Sequence, residues 1–213
     1  MKPILYSFRR CPYAMRARLA LASAGVPVEL REVVLRDKPE AFLAASASAT
    51  VPCLKTRDEV IDESFDIMLW ALKKNDPEAW LTMPTDGHAL INRFDSDFKS
   101  ALDHYKYPNR YAGIDPMTER DRAVAILNDI EPRLCAPWLF GPAPTLADMA
   151  ILPFVRQFAM VDKPWFDGLA LPGVQGWLER FLASDRLAAI MSKYPQWAEG
   201  DAPTIFPKGY DAS

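Results

Sequence analysis

The chain has 213 residues, half of them hydrophobic and a quarter charged, enough to bury a core without metal or disulfide staples. Lys plus Arg number 25 against 28 Asp plus Glu, a net charge of -3 that argues against a polyanion-binding surface. No apolar run reaches the ~18 residues of a membrane span, and Arg9 and Arg10 arrive too early for a signal peptide.

In chain order, Pro3–Phe8 (PILYSF) reads as a strand, and Tyr13–Ala24, rich in Ala, Leu and Arg, as a helix stopped by Gly25 and Pro27. Val28–Leu35 alternates like a second strand. Lys38–Ala45 reads as a short helix with Pro39 in its first turn. Val51–Thr56 and Glu59–Ile61 are two short strands about a turn at Arg57-Asp58. Ser64–Lys74 is amphipathic, with Phe65, Met68, Leu69 and Leu72 on one face. Beyond Asn75 the strand signals stop, and Asp76–Pro84 has the character of a linker. His88–Lys106 carries Leu90, Phe94, Phe98 and Leu102 at four-residue spacing. Thr118–Leu134 and Thr145–Asp162 each open on Thr-x-x-Asp, a capping-box pattern (Thr118 with Asp121, Thr145 with Asp148). Val174–Ser184 is a further helix, and the tail beyond Pro195 reads as irregular. The expectation is an α/β domain over residues 1–75 and an all-helical domain over 84–213.

Three cysteines, Cys11, Cys53 and Cys135, are an odd and widely spaced set, which fits a reducing, cytoplasmic setting rather than a disulfide framework. With only His88 and His104 and no Cys-x-x-Cys pair, no metal site is expected. Cys11 falls between the first strand and the first helix, with Pro12 next. A thiol there faces the unsatisfied N–H groups and positive dipole end of the helix, which favour thiolate. Arg9 and Arg10 add positive charge. The residue after Pro12-Tyr13 is Ala14, so no second thiol lies within the motif, and an external thiol must resolve any disulfide formed at Cys11. Val51-Pro52 precedes a central strand. A cis bond there reconciles proline with that position and leaves the Val51 N–H and C=O to pair with a peptide-like ligand. Ser64 reads as an N-cap whose hydroxyl and helix amides could hold a carboxylate, beside Glu63 for a neighbouring amino group.

Taken in order, Cys11-Pro12-Tyr13-Ala14, Lys38-Pro39-Glu40, Val51-Pro52, Glu63-Ser64 and Thr145-x-x-Asp148 resemble the glutathione transferases, and within them the cysteine-containing omega-type and glutaredoxin-like members. The resemblance spans nearly the whole chain. It implies a thioredoxin-like first domain, glutathione as co-substrate without a metal, and a homodimer. It also implies a binding set in which Cys11 and Pro12 meet the sulfur, Val51 and Pro52 the cysteinyl backbone, Glu63 and Ser64 the γ-glutamyl head, and Lys38 the glycyl carboxylate. An electrophile pocket between the domains would draw on Tyr105, Tyr107, Tyr111 and Trp165. The aromatic content at Phe94 and Phe98 exceeds one buried stripe and is read as support for a dimer. Tyr6, near the place where other classes carry a catalytic tyrosine, is assigned to the core or the site wall; Cys53 to the core; Cys135 to no role. The reaction implied is thiol transfer through a Cys11–glutathione mixed disulfide with an unidentified small or protein thiol or disulfide as partner substrate. The alternatives are conventional conjugation to an electrophile and a non-catalytic protein-binding module. Neither nucleic acid nor membrane is an expected partner.

Overall fold

The computed structural model describes residues 2–209. The chain divides into two units: one runs to Ala79 and resumes from Ala183, and the other is Trp80–Leu182. This differs from the expected helical domain over 84–213. The segment from Ala183 onward packs with the α/β unit, because its apolar residues Leu187, Ile190 and Phe206 are buried there.

The first unit is the expected thioredoxin-like arrangement with one added strand. Strand β1 (Ile4–Ser7) runs into helix α1 (Pro12–Ser23) and back to the parallel strand β2 (Val28–Glu32). Helix α2 (Glu40–Ala45) follows, with Pro39 as its N-cap rather than inside its first turn. Strands β3 (Cys53–Lys55) and β4 (Val60–Ile61) pair antiparallel, and helix α3 (Ser64–Lys74) closes the N-terminal stretch. The sheet order is β4-β3-β1-β2-β5, where β5 is Ile205–Phe206, antiparallel to β2. The tail is thus not irregular throughout. It also carries a short helix, Asp185–Ile190, which packs on α1. Helix α1 has a weakly amphipathic sequence and is buried on nearly every side from Pro12 to Leu21, lying against both α3 and the tail helix. That leaves its N-terminus, and Cys11, as the part that reaches the surface.

The second unit is helical. The long helix expected over 88–106 is found as α4 (Asp86–Arg93) and α5 (Lys99–Lys106), joined without a break by a π-helical turn at Phe94–Phe98. A strict four-residue repeat drifts by about 40° per step around a 3.6-residue helix. The wider π turn takes up that drift, so Leu90, Phe94, Phe98 and Leu102 all stay on the core side. Phe94 and Phe98 are fully buried, with ring centroids 4.7 Å apart. They belong to this unit's own core, which removes the support they were expected to lend to a dimer. Helix α6 (Pro116–Ile130) starts two residues earlier than the Thr118 pattern suggests. Asp115 is its cap, accepting from the Met117 and Thr118 amides, while Asp121 faces Arg120. The signal overlooked was Asp-Pro, an acidic cap followed by proline at the first helical position.

Helix α7 (Leu146–Ala159) is the centre of this unit, with twelve buried residues. Its capping box has both halves in place: the Thr145 side chain accepts from the Asp148 amide, and Asp148 accepts from the Thr145 amide at 2.8 Å, with the Thr145 hydroxyl also donating to Asp148 at 2.9 Å. The same carboxylate accepts from the Leu139 amide and the Trp177 indole N–H, each at 2.9 Å. Trp177 lies on α9 (Pro172–Leu182), after a short α8 (Lys163–Asp167). The supposed linker is not loose, since Trp80 is buried and its carbonyl accepts from the Leu146 amide.

Asp148→Ala leaves four buried donors without an acceptor. It is expected to cost about 3–4 kcal/mol in urea-induced unfolding, whereas Asp148→Asn, which retains one oxygen, costs less. Equal costs for the two would show that the cluster is held by packing alone.

Candidate functional site

Cys11 is the N-cap of α1, extended at φ -71° and ψ 124°, with Pro12 buried at the first helical position. No side chain caps this helix. The Cys11 amide donates back to the Phe8 carbonyl at 3.0 Å, closing a turn over residues 8–11. The thiol is half-buried and packs against a core of Tyr6, Val33, Phe42, Val51 and Cys53.

The Val51–Pro52 bond is cis, as the sequence suggested. The thiol of Cys11 donates to the Val51 carbonyl at 3.6 Å, so that carbonyl is engaged by the protein itself rather than left free. The Val51 N–H has no partner among the described residues. Lys38 reaches the same stretch of chain from the segment before α2, its Nζ donating to the Ala49 carbonyl at 3.0 Å. Cys11, Val51 and Lys38 are therefore linked through residues 49–52.

Ser64 is the first residue of α3 and not its cap; the cap position is Glu63, and no side chain fills it. Ser64 is 3% exposed, and its hydroxyl has no partner among the described residues. Glu63 is exposed. An uncapped helix end with a hydroxyl beside it is chemically suited to an anion.

Tyr6 and Cys53 are both engaged by the protein itself. The Tyr6 hydroxyl donates to the Ala41 carbonyl at 3.2 Å and accepts from Arg31 at 3.0 Å. Burial pushes its phenol above the ordinary range, against the pull of Arg31. The phenol's single proton is thereby committed to the Ala41 carbonyl. Cys53 is fully buried, and burial followed by the neighbouring Asp62 carboxylate push its thiol up to about 12. Burial raises Asp62 too, but hydrogen bonds from Ser46, Cys53 and Ser48 hold it below the ordinary carboxylate range. Cys53 stays a thiol at neutral pH, consistent with a core residue. Cys135 is exposed in the second unit and donates to the Pro132 carbonyl at 3.2 Å.

Beneath the Cys11 turn lie two charged residues that the sequence reading passed over. Arg18, 1% exposed on α1, donates to the Ser7 hydroxyl, to the Phe8 carbonyl at 3.4 Å and to the Arg9 carbonyl at 2.6 Å. Glu32, at the end of β2, accepts from the Arg9 amide at 2.7 Å. Desolvation draws the Arg18 guanidinium down to about 10, with Glu32 opposing, and it remains charged at neutral pH. Burial raises Glu32. A signal was available: Glu32 shares the inward parity of Val28 and Leu30. Arg10 is exposed and stacks over Phe8, so it is a screened charge.

In the second unit the four residues suggested for an electrophile pocket fall into separate groups. Tyr105 and Trp165 meet around Phe158, with Arg120 over the Trp165 ring at 4.1 Å. Tyr111 instead packs edge-on against His104, and Tyr107 takes Arg110 on its ring face.

A thioredoxin-like unit with a cysteine at the first helix N-terminus, joined to a helical unit with a capping box on its central helix, defines a class of two-domain proteins. Family comparison agrees with that geometry. Residues 5–80 match the model of the glutathione S-transferase N-terminal domain and residues 117–199 that of the C-terminal domain, so the chain belongs to the glutathione S-transferase family. It is 24% identical over 198 residues to glutathione S-transferase DHAR3, chloroplastic, of Arabidopsis thaliana, covering 92% of this chain and 74% of that protein. It is 33% identical over 119 residues to glutaredoxin 2 of Escherichia coli, covering 49% of this chain and 53% of that one. The fold is also that of glutathione transferase Omega 3C from Trametes versicolor. The TM-score is 0.76 at 14% identity, covering 93% of this chain and 87% of that one.

Proposed function

We propose that this protein is a glutathione-dependent thioltransferase in which Cys11 carries the chemistry. The observation that supports this most directly is the position of Cys11 as the N-cap residue of α1, a helix end that no side chain caps. Helix N-termini lower cysteine pKa values, to roughly 3.5–7.5 in reactive examples. The Cys11 thiolate attacks the glutathionyl sulfur of a mixed disulfide, forming the Cys11–glutathione disulfide and expelling the substrate thiolate, which takes up a proton. A second glutathione, as thiolate, then attacks the glutathionyl sulfur, releasing oxidised glutathione and the Cys11 thiolate. The incoming glutathione sulfur is oxidised and the substrate sulfur reduced, while the glutathionyl sulfur passes from one disulfide to the next. No second thiol is needed in the motif, in keeping with Ala14 where one would stand.

Glutathione is held in this reading by the chain's own polar groups. The Val51 N–H pairs with its cysteinyl carbonyl. Ser64 and the first amides of α3 take the γ-glutamyl carboxylate, Glu63 the adjacent ammonium, and Lys38 the glycyl carboxylate. The engaged hydroxyl of Tyr6 weighs against a tyrosine-based conjugation mechanism. The three free thiols suit a reducing, cytoplasmic setting. A homodimer, the usual state in this family, is part of the same proposal, and sedimentation at micromolar concentration is expected to give twice the chain mass.

Treatment with oxidised glutathione is expected to add one glutathione to the Cys135→Ser protein and none to the Cys11→Ser/Cys135→Ser protein, with Cys53 unmodified in both. Cys11→Ser is expected to lose thiol-transfer activity by orders of magnitude. A Cys11→Ser protein with the parental rate would overturn the mechanism.

Ser64→Ala removes a hydrogen bond to a charged group, worth about 1.5–3 kcal/mol. Glutathione affinity is expected to fall about ten- to a hundredfold by calorimetry. Because Ser64 does not cap its helix, thermal stability is expected to hold, so the two effects separate cleanly. Unchanged affinity would shift the weight to a non-catalytic binding module on the same fold.

A further inference from the structure

Arg18 occupies a position that packing alone would fill with an apolar side chain. Its helix neighbours Met15, Leu19 and Leu21 are fully or almost fully buried, and Arg18 is itself only 1% exposed. Burying a guanidinium is costly unless its hydrogen bonds are directed at something specific. Here they are. Side chains on a helix lean towards its N-terminus, and Arg18 extends back along α1 to the turn that precedes Cys11, donating to the Phe8 and Arg9 carbonyls. Glu32 completes the clamp from β2 by taking the Arg9 amide. The carbonyls and the amide of the turn are thus held from below, and the Cys11 amide closes it above.

We propose that Arg18 is a positioning residue for Cys11: its buried guanidinium fixes the turn that carries the thiol and supplies a permanent positive charge beneath the thiolate. Four groups face this charge. They are Glu32 from β2, Cys11 and Arg9 from the turn, and Tyr194 from the tail. Glu32 partly offsets Arg18, and Arg9 adds to it. Tyr194, whose phenol burial pushes up, stays neutral. Unlike Arg10, which is exposed, Arg18 is shielded from salt, so its effect on Cys11 persists at high ionic strength. The inference rests on Cys11 being the reactive group, but its test needs no glutathione.

The test is the pH dependence of iodoacetamide alkylation of Cys11, followed in the Cys135→Ser background where Cys53 is protected. Arg18→Met is expected to move the midpoint up by about one pH unit, a tenfold loss of thiolate at a fixed pH below it. Arg18→Lys, which retains the charge, is expected to stay near the parent, and the parental midpoint to be unchanged by added salt. A residue of merely structural importance would lower the unfolding midpoint and leave the alkylation profile in place. Should Arg18→Met fail to fold, Arg18→Gln keeps an amide donor for the turn and carries the same measurement. A folded, charge-neutral variant with the parental profile overturns the role of Arg18. A parental midpoint at the free-thiol value, by contrast, overturns the reactive Cys11 itself, so the two failures are distinguishable.

Discussion

The Cys11 end of the sheet depends on one constraint: the backbone polar groups of a tight turn, folded onto the core, must find partners without water. The turn over residues 8–11 meets it with Arg18 for two carbonyls, Glu32 for one amide and its own Cys11–Phe8 bond. Once those are satisfied, α1 can begin at Pro12 with its N-terminus open, and the thiol comes to rest against the Val51 carbonyl. Glu32 ties this end to the rest of the unit as well. Its own carbonyl accepts from the Trp197 amide, and Trp197 stacks on Arg31, which in turn donates to Tyr6. Two adjacent residues at the end of β2, Arg31 and Glu32, therefore join the cysteine turn, the tail and the tyrosine.

That network separates two chemistries available to this fold. Tyr6 is drawn into the structure by Ala41 and Arg31, and Cys53 by Asp62, and each is left protonated at neutral pH. Cys11 is the thiol given an open helix end instead. The contrast between Cys11 and Cys53 comes from surroundings: both pack in the same apolar cluster, but Cys11 is half-buried at the start of a helix, whereas Cys53 is fully buried beside a carboxylate.

Much of this could be read from the sequence, and the exceptions have physical causes. Local signals were sufficient where chain neighbours decide the structure. The β1–α1–β2 order, the extent of α3 and the Thr145–Asp148 box follow from propensity, period and capping. Ser64 was misplaced by one residue because a hydroxyl at a helix start can serve as cap or as first residue, and only the backbone angles decide. Thr118 stands in the same Thr-x-x-Asp pattern as Thr145, but the cap of α6 is Asp115, ahead of Pro116, so the pattern alone does not locate a helix start. The four-residue stripe of Leu90, Phe94, Phe98 and Leu102 looked like too many aromatics for one face, since a π turn leaves no mark of its own in composition. Strand β5 has two residues, and its pairing partner lies nearly 180 positions earlier in the chain. No local pattern can announce such a pairing.

That distant pairing bears on how the chain matures. On the ribosome, β1, α1 and β2 emerge first, but the strand that covers the free edge of β2 and the helix that packs on α1 emerge only after the entire second unit. The helical unit is contiguous and rich in local contacts, so it can finish folding while the earlier unit still waits with an open sheet edge. The α/β unit, although its first strands precede the helical unit in the chain, is completed only after that unit has been made.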